Sequence, residues 1–281
     1  MRLYKILFIL FFISSCTYNP VPKRLAVADG IALKNMMQRS LVETDGFSIT
    51  SYQRITNPAK PANIYIEGDG FAWAAPGRLS VNPTPKNPVA LKLASLDKSE
   101  NVIYLARPCQ YFDLKSDRLC DAKFWNGSKY SKLVVDSLGQ AVDNIKADTK
   151  VDKINLIGFS GGGAIAAILA ATRDDVVSLR SVAGNLDHVA FNNYHKVDRL
   201  NDSLNAADFV DGLKGIPQMY LSGIDDTVVP PFIAENFAKK ADSTKGCVEL
   251  VNLPDVTHHN GWERHWNEII NKSLKCQYKN N

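Results

Sequence analysis

The stretch NLIGFSGGGAIAAILAA (residues 155–171) decides the fold. Apolar residues run up to Ser160, glycines crowd both sides of it, and a helix-like run of alanine, isoleucine and leucine follows at once. A strand that turns straight into a helix leaves its corner residue bare, with the amides of the helix N-terminus behind it. Gly158-Phe-Ser160-Gly-Gly162 fits the Gly-x-Ser-x-Gly pattern, in which small residues two positions to either side relieve crowding at a sharp turn. A phosphate-binding loop is excluded, because no Lys-Ser/Thr pair follows the glycines. The dinucleotide pattern Gly-x-Gly-x-x-Gly is not matched, and this is not the first strand-to-helix turn of the chain.

Outward from this stretch, short apolar runs alternate with helical ones. On the N-terminal side lie strand-like FSITSYQRI (47–55), ANIYIEGDG (62–70) and NVIYLARP (101–108), and helix-like NPVALKLASL (87–96) and SKLVVDSLGQAVDNIKAD (131–148). Asn87 is placed to cap its helix and Pro88 to occupy the first turn. On the C-terminal side VVSLRSVAG, QMYLSGID and CVELVNLP read as strands, with PPFIAENFAKKAD and GWERHWNEIINKSLK as helices. FSITSYQRI alternates like an antiparallel strand; the later strands are continuously apolar, as strands covered on both faces are. The chain is therefore expected to be α/β, with a mostly parallel central sheet and helices on both faces, in one domain spanning 41–281. Ligands of such sheets sit at the carboxyl ends of the strands, which is where chemistry is sought.

Those ends carry Ser160, then Asp225 and Asp226 in YLSGIDDTVVP, then His258 and His259 in VNLPDVTHHNGW. A serine hydroxyl needs a base to remove its proton, and a histidine base needs a carboxylate to hold its tautomer. The order Ser160, Asp226, His258 is the chain order of one class of serine hydrolase. His258, His259 and His265 lack carboxylates at metal-ligand spacing, so no metal is assigned.

With these three motifs the chain, from residue 63 to its end, resembles the α/β-hydrolase superfamily of esterase- and lipase-like serine hydrolases. The resemblance implies Asp226 as the acid, from Gly223-Ile-Asp-Asp226-Thr-Val-Val-Pro230, and His258 as the base, from Pro254-Asp-Val-Thr-His258, with His259 as the alternative base. It implies an oxyanion hole made by the Gly161 amide and by the backbone of Asp69 or Gly70, in Glu67-Gly-Asp-Gly-Phe71, where glutamate stands in place of the usual histidine. It implies no cofactor, at most a short lid within residues 183–217, and a small-molecule or lipid-like acyl substrate. A peptidase or acyltransferase on the same triad, and a non-catalytic binding lipoprotein of this fold, are the alternatives. RPCQYF (107–112) and KFW (123–125) either shape the pocket or pack around a disulfide.

The N-terminus, MRLYKILFILFFISSC, has a basic start, an apolar run from Ile6 to Ile13 and small residues before Cys16, the layout of a secretory leader. Eight apolar residues are too few to span a bilayer. Ile13-Ser-Ser-Cys16 resembles the bacterial lipoprotein box, against the alternative of an ordinary cleaved signal. That implies a signal peptide over 1–15, lipidation of Cys16, a tether over 16–40 containing the helix-like ADGIALKNMMQRSL, and an exported, membrane-anchored protein. In a Gram-negative source it faces the periplasm or sits in the outer membrane. Export makes disulfides the expected state of the remaining cysteines, paired by proximity as Cys109–Cys120 and Cys247–Cys276. With 45% apolar and 22% charged residues the composition is globular, and a net charge of +4 without a basic block gives no footing for nucleic acid.

Overall fold

The computed structural model describes residues 19–112, 114, 119–242 and 247–276. The leader and Cys16 lie outside these residues. The strands are β1 (Gln38–Glu43), β2 (Ser48–Ile55), β3 (Ala62–Ile66), β4 (Trp73–Ala75), β5 (Arg78–Leu79), β6 (Asn101–Leu105), β7 (Ile154–Phe159), β8 (Val176–Val182), β9 (Gln218–Gly223) and β10 (Val248–Leu253). The helices are α1 (Val21–Leu33), α2 (Val89–Leu96), α3 (Lys132–Thr149), α4 (Gly161–Thr172), α5 (His188–His195), α6 (Phe232–Asp242) and α7 (Trp262–Asn271). Eight strands form one sheet in the order β1-β2-β6-β3-β7-β8-β9-β10, and β4 and β5 make a separate small hairpin. The first two strands are antiparallel; from β6 to β10 every pairing is parallel.

Strand side chains alternate between faces, so each strand feeds two cores. Ile64 and Ile66 of β3, Ile103 and Leu105 of β6, and Ile154 and Leu156 of β7 pack under α3, α4 and α6. Tyr65, Tyr104, Ile157 and Phe159 point the other way, against α1, α2 and α7. Trp262 and Trp266 are fully buried in this second core, which makes them packing residues; burial of a large side chain contributes about 2–3 kcal/mol. The parallel sheet between helix layers is thus the expected architecture.

The domain begins earlier than residue 41. Helix α1 spans 21–33, so it starts seven residues before ADGIALKNMMQRSL (28–41) and includes its first six residues, whereas most of that expected helix's second half is β1. Ala28 and Ala32 are buried in the second core, and Arg24 donates to the Thr84 carbonyl at 2.7 Å. Small residues on one face let α1 lie close to the protein, so from residue 21 the expected tether is part of the fold. Asn87 does not cap α2; its Nδ2 donates to the His259 carbonyl instead, and Pro88 takes the cap position. Two disulfides, Cys109–Cys120 and Cys247–Cys276, are present. Among the described residues no helix is long and apolar enough to cross a membrane.

Candidate active site

Ser160 stands between β7 and α4 with φ at 52° and ψ at −119°, a conformation side chains rarely adopt. Its surroundings hold it there. The Ser160 amide donates to Val182 O at 2.9 Å, and its carbonyl accepts from the amides of Gly163 and Asn185. A side chain at Gly162 would run into the carbonyls of Ile66 and Glu67, and one at Gly158 into the Gly162 backbone. These two glycines permit the close approach that turns the chain so sharply.

Beyond β9, Asp226 is buried while Asp225 faces solvent. One Asp226 oxygen accepts from the amides of Val228 and Val229, both at 2.8 Å, and the other contacts His258 Nδ1 at 2.8 Å. His258 Nε2 lies 3.0 Å from Ser160 Oγ. The imidazole packs on Phe159, and Trp262 Nε1 donates to the His258 carbonyl at 3.0 Å. The structure therefore brings His258 to the serine. His259 is exposed, with its ring edge-on to that of His258; desolvation, then the neighbouring His258, lowers its pKa.

Gly161 opens α4, so its amide has no intrahelical partner. The loop after β3 lies alongside: a Cβ built on Gly68 would sit 3.2 Å from Ser160 Cβ. Two loop amides are engaged, Gly68 to Glu67 Oε1 and Phe71 to Pro83 O. Those of Asp69 and Gly70, the expected donors, carry no such bond among the described residues. Gly70 has φ at 68° and is hemmed in by Pro83 and Gln110, so a glycine is required. Glu67 lies buried under the loop at the N-terminus of α2, where Ala90 N and Tyr104 Oη also donate to it. Desolvation pushes its carboxyl up to about 7, against those hydrogen bonds.

The other flank of Ser160 joins Asp69 and the Arg107 of RPCQYF to Lys129 and Tyr130, which no sequence motif marks. Asp69 is held by Arg107 Nη1 at 3.2 Å and Lys129 Nζ at 2.7 Å, with Tyr130 Oη at 3.4 Å. Burial raises the Asp69 carboxyl, but Lys129 and Arg107 outweigh it and hold the pKa below the usual value. Arg107 lies two residues past the end of β6, and the turn after it is wound through positive φ at Cys109 and Tyr111, next to the Cys109–Cys120 bridge. Gln110 Nε2 ties that turn to Gly68 O at 3.0 Å. RPCQYF thus both packs on a disulfide and shapes the site. Its strand-end position was the available signal; Lys129 gave none. The segment between β8 and β9 forms α5, capped by Asp187 through the amides of Val189 and Ala190. Among the described residues no group of three or more His, Cys, Asp or Glu side chains is placed to hold a metal ion.

No protein-family model matches the chain, and no curated protein matches it in sequence. Solved structures do. Est1E from Butyrivibrio proteoclasticus is similar with a TM-score of 0.58 at 16% identity, over 83% of this chain and 95% of that one. An alpha-beta serine hydrolase homologue from Coxiella burnetii gives 0.56 at 19%, over 83% and 93%. The Pyrococcus furiosus esterase Pf2001 gives 0.57 at 15%, over 90% and 91%. At such identities the likeness establishes the fold, which is the α/β-hydrolase fold.

Proposed function

We propose that the protein is a serine hydrolase that cleaves an ester-type acyl substrate through a covalent acyl-enzyme. The observation that carries this reading is the continuous line from Ser160 Oγ to His258 at 3.0 Å and from His258 to Asp226 at 2.8 Å, set at a helix N-terminus. Ser160 Oγ attacks the ester carbonyl while His258 Nε2 takes its proton. Asp226, one oxygen fixed by two amides and the other on Nδ1, holds the Nδ1–H tautomer and stabilises the imidazolium. The Gly161 amide and those of Asp69 or Gly70 meet the oxyanion, each donor supplying about 3–4 kcal/mol in the transition state. The C–O bond to the alcohol breaks and His258 returns its proton to the leaving oxygen. Water then attacks the acyl-enzyme, giving up a proton to His258, and Ser160 leaves with a proton as the acid departs.

A fluorophosphonate probe is expected to label the purified protein at Ser160, with labelling and ester hydrolysis both lost in Ser160→Ala. Folded wild-type protein that neither labels nor hydrolyses short esters refutes the reading. Matched ester and anilide substrates separate esterase from peptidase action.

We further propose that the enzyme is exported and held at a membrane by a lipid on Cys16. The leader layout and the two disulfides support this. Palmitate incorporation lost in Cys16→Ser is the expected result; equal incorporation in the variant refutes it.

A further inference from the structure

Six residues on the Tyr130 side of Ser160 do not balance one another. Arg107 and Lys129 bring two positive charges, and among the described residues each makes an ion pair with Asp69 alone. Lys129 is held charged, since Asp69 more than offsets its desolvation, so the cluster carries one positive charge in excess. A buried charge without a counter-ion is costly, and natural sites supply one.

Hydrogen bonding is unbalanced in the same place. Arg107 Nε and Asn185 Oδ1 are buried with no partner, and the buried His188 ring lies against the Ser203 backbone. All three side chains gather round Tyr130. The Arg107 guanidinium lies 5.5 Å and the His188 ring 6.1 Å from its ring centre, and Asn185 neighbours its hydroxyl. Tyr130 in turn is against the nucleophile's neighbour, since a Cβ built on Gly161 would sit 2.9 Å from its hydroxyl. The cluster is open from outside through Asp69 and Lys129, whose side chains keep 20% and 16% of their surface. The cleft behind it, lined by Asp69, Arg107, Lys129, Pro83, Phe124 and Trp125, has room for about one water molecule, so a ligand meets the cluster at its open Asp69–Lys129 edge.

We infer that this flank is a subsite for a carboxylate carried by the substrate near its scissile ester. The inference rests on the reading of Ser160 as the acyl acceptor and names the substrate class: half-esters of short dicarboxylic acids. A carboxylate supplies the missing negative charge, and its oxygens accept charge-assisted hydrogen bonds from the Lys129 ammonium and from the guanidinium of Arg107, whose Nη1 and Nη2 also donate to Asp69 and to the Lys129 carbonyl. The fully aliphatic acyl groups of neutral lipids supply neither.

The test measures kcat/KM of the purified full chain, by titrating released acid, on monomethyl succinate, glutarate and adipate. Each is set against the methyl ester of the monocarboxylic acid with the same number of carbons. At least one diacid half-ester is expected to be preferred by about tenfold or more, chiefly through KM. The preference is a ratio, so it does not depend on the fraction of active protein. Lys129→Gln is expected to lower that ratio about tenfold, while Asp69→Asn, which frees a cation, raises it; a merely structural role moves both the same way. Should Lys129→Gln not fold, wild type still decides, because an ionic preference falls as salt rises. Neutral esters preferred at every length, or a salt-independent ratio, overturn the inference while leaving Ser160 labelling intact. Absence of both ester activities and of labelling overturns the hydrolase reading, and this inference with it.

Discussion

Ser160 has two flanks, and they are finished to different degrees. On the His258 side the polar atoms form a closed chain, in which Asp226 meets two amides and one imidazole and the imidazole meets the serine. On the Tyr130 side two cations share one carboxylate, and the buried Arg107 Nε and Asn185 Oδ1 have no partner. Groups whose task is to hold a geometry are satisfied within the protein; groups whose task is to meet a ligand are satisfied by it. The first flank therefore reads as general machinery and the second as selectivity.

The largest expected effect breaks the first flank. His258→Ala should lower kcat on short esters by on the order of 10⁶-fold, because base and nucleophile act as a unit. His259→Ala, outside the line, should change it by no more than about threefold, in keeping with an exposed side chain. The paired rates check the assignment, and equal losses would return His259 to the site. Asp226→Asn keeps the shape but offers the wrong tautomer, and a loss of about 10⁴-fold is expected in the same assay. Next comes Gly162→Ala. Its methyl meets the carbonyls of Ile66 and Glu67, so the corner must shift and drag Ser160 off line. Misplacement of that kind costs about a hundredfold in kcat. A near-normal rate for this variant would show that the corner tolerates more than its packing implies.

The contrast between flanks is also a contrast in legibility. Ser160 was readable because strand, glycines and helix lie within one short run of sequence. Asp226 and His258 were readable because each follows a strand at a recognisable turn. Arg107 was readable only as a strand-end residue of RPCQYF and Lys129 not at all, because they meet Asp69 across 38 and 60 residues and no local pattern records the meeting. The same holds for α1. Its register is set by Ala28 and Ala32 against the second core, and by Arg24 reaching the Thr84 carbonyl 60 residues away, so the sequence looked like tether. Asn87 had the right type and place for a cap, but Pro88 and the reach to His259 won. The parallel sheet and its covering helices were legible, since they depend on apolar runs alone; the polar flank depends on side chains that only the folded sheet brings together.

The smallest expected effect concerns Glu67, the buried acid beneath the oxyanion loop. Its folded pKa stands at about 7 against an ordinary 4.5. Below pH 4.5 the carboxyl is protonated whether the chain is folded or not, and no stability is lost. Between 4.5 and about 7 the unfolded chain releases a proton that the folded one keeps, so stability falls as pH rises. Above 7 the deficit is complete, about 3 kcal/mol at roughly 1.4 kcal/mol per pKa unit. Glu67→Gln removes that cost while its amide oxygen still accepts from Gly68 and Ala90 and its NH₂ group donates to the Tyr104 oxygen. The variant is therefore expected to melt roughly 5–10 °C higher than wild type at pH 8 and within a degree or two of it near pH 4.5. Thermal unfolding at the two pH values checks this. A variant less stable at pH 8 would mean that the charge is needed to hold the Gly68 amide, and that even beneath the selectivity flank the protein favours a fixed loop over a cheap one.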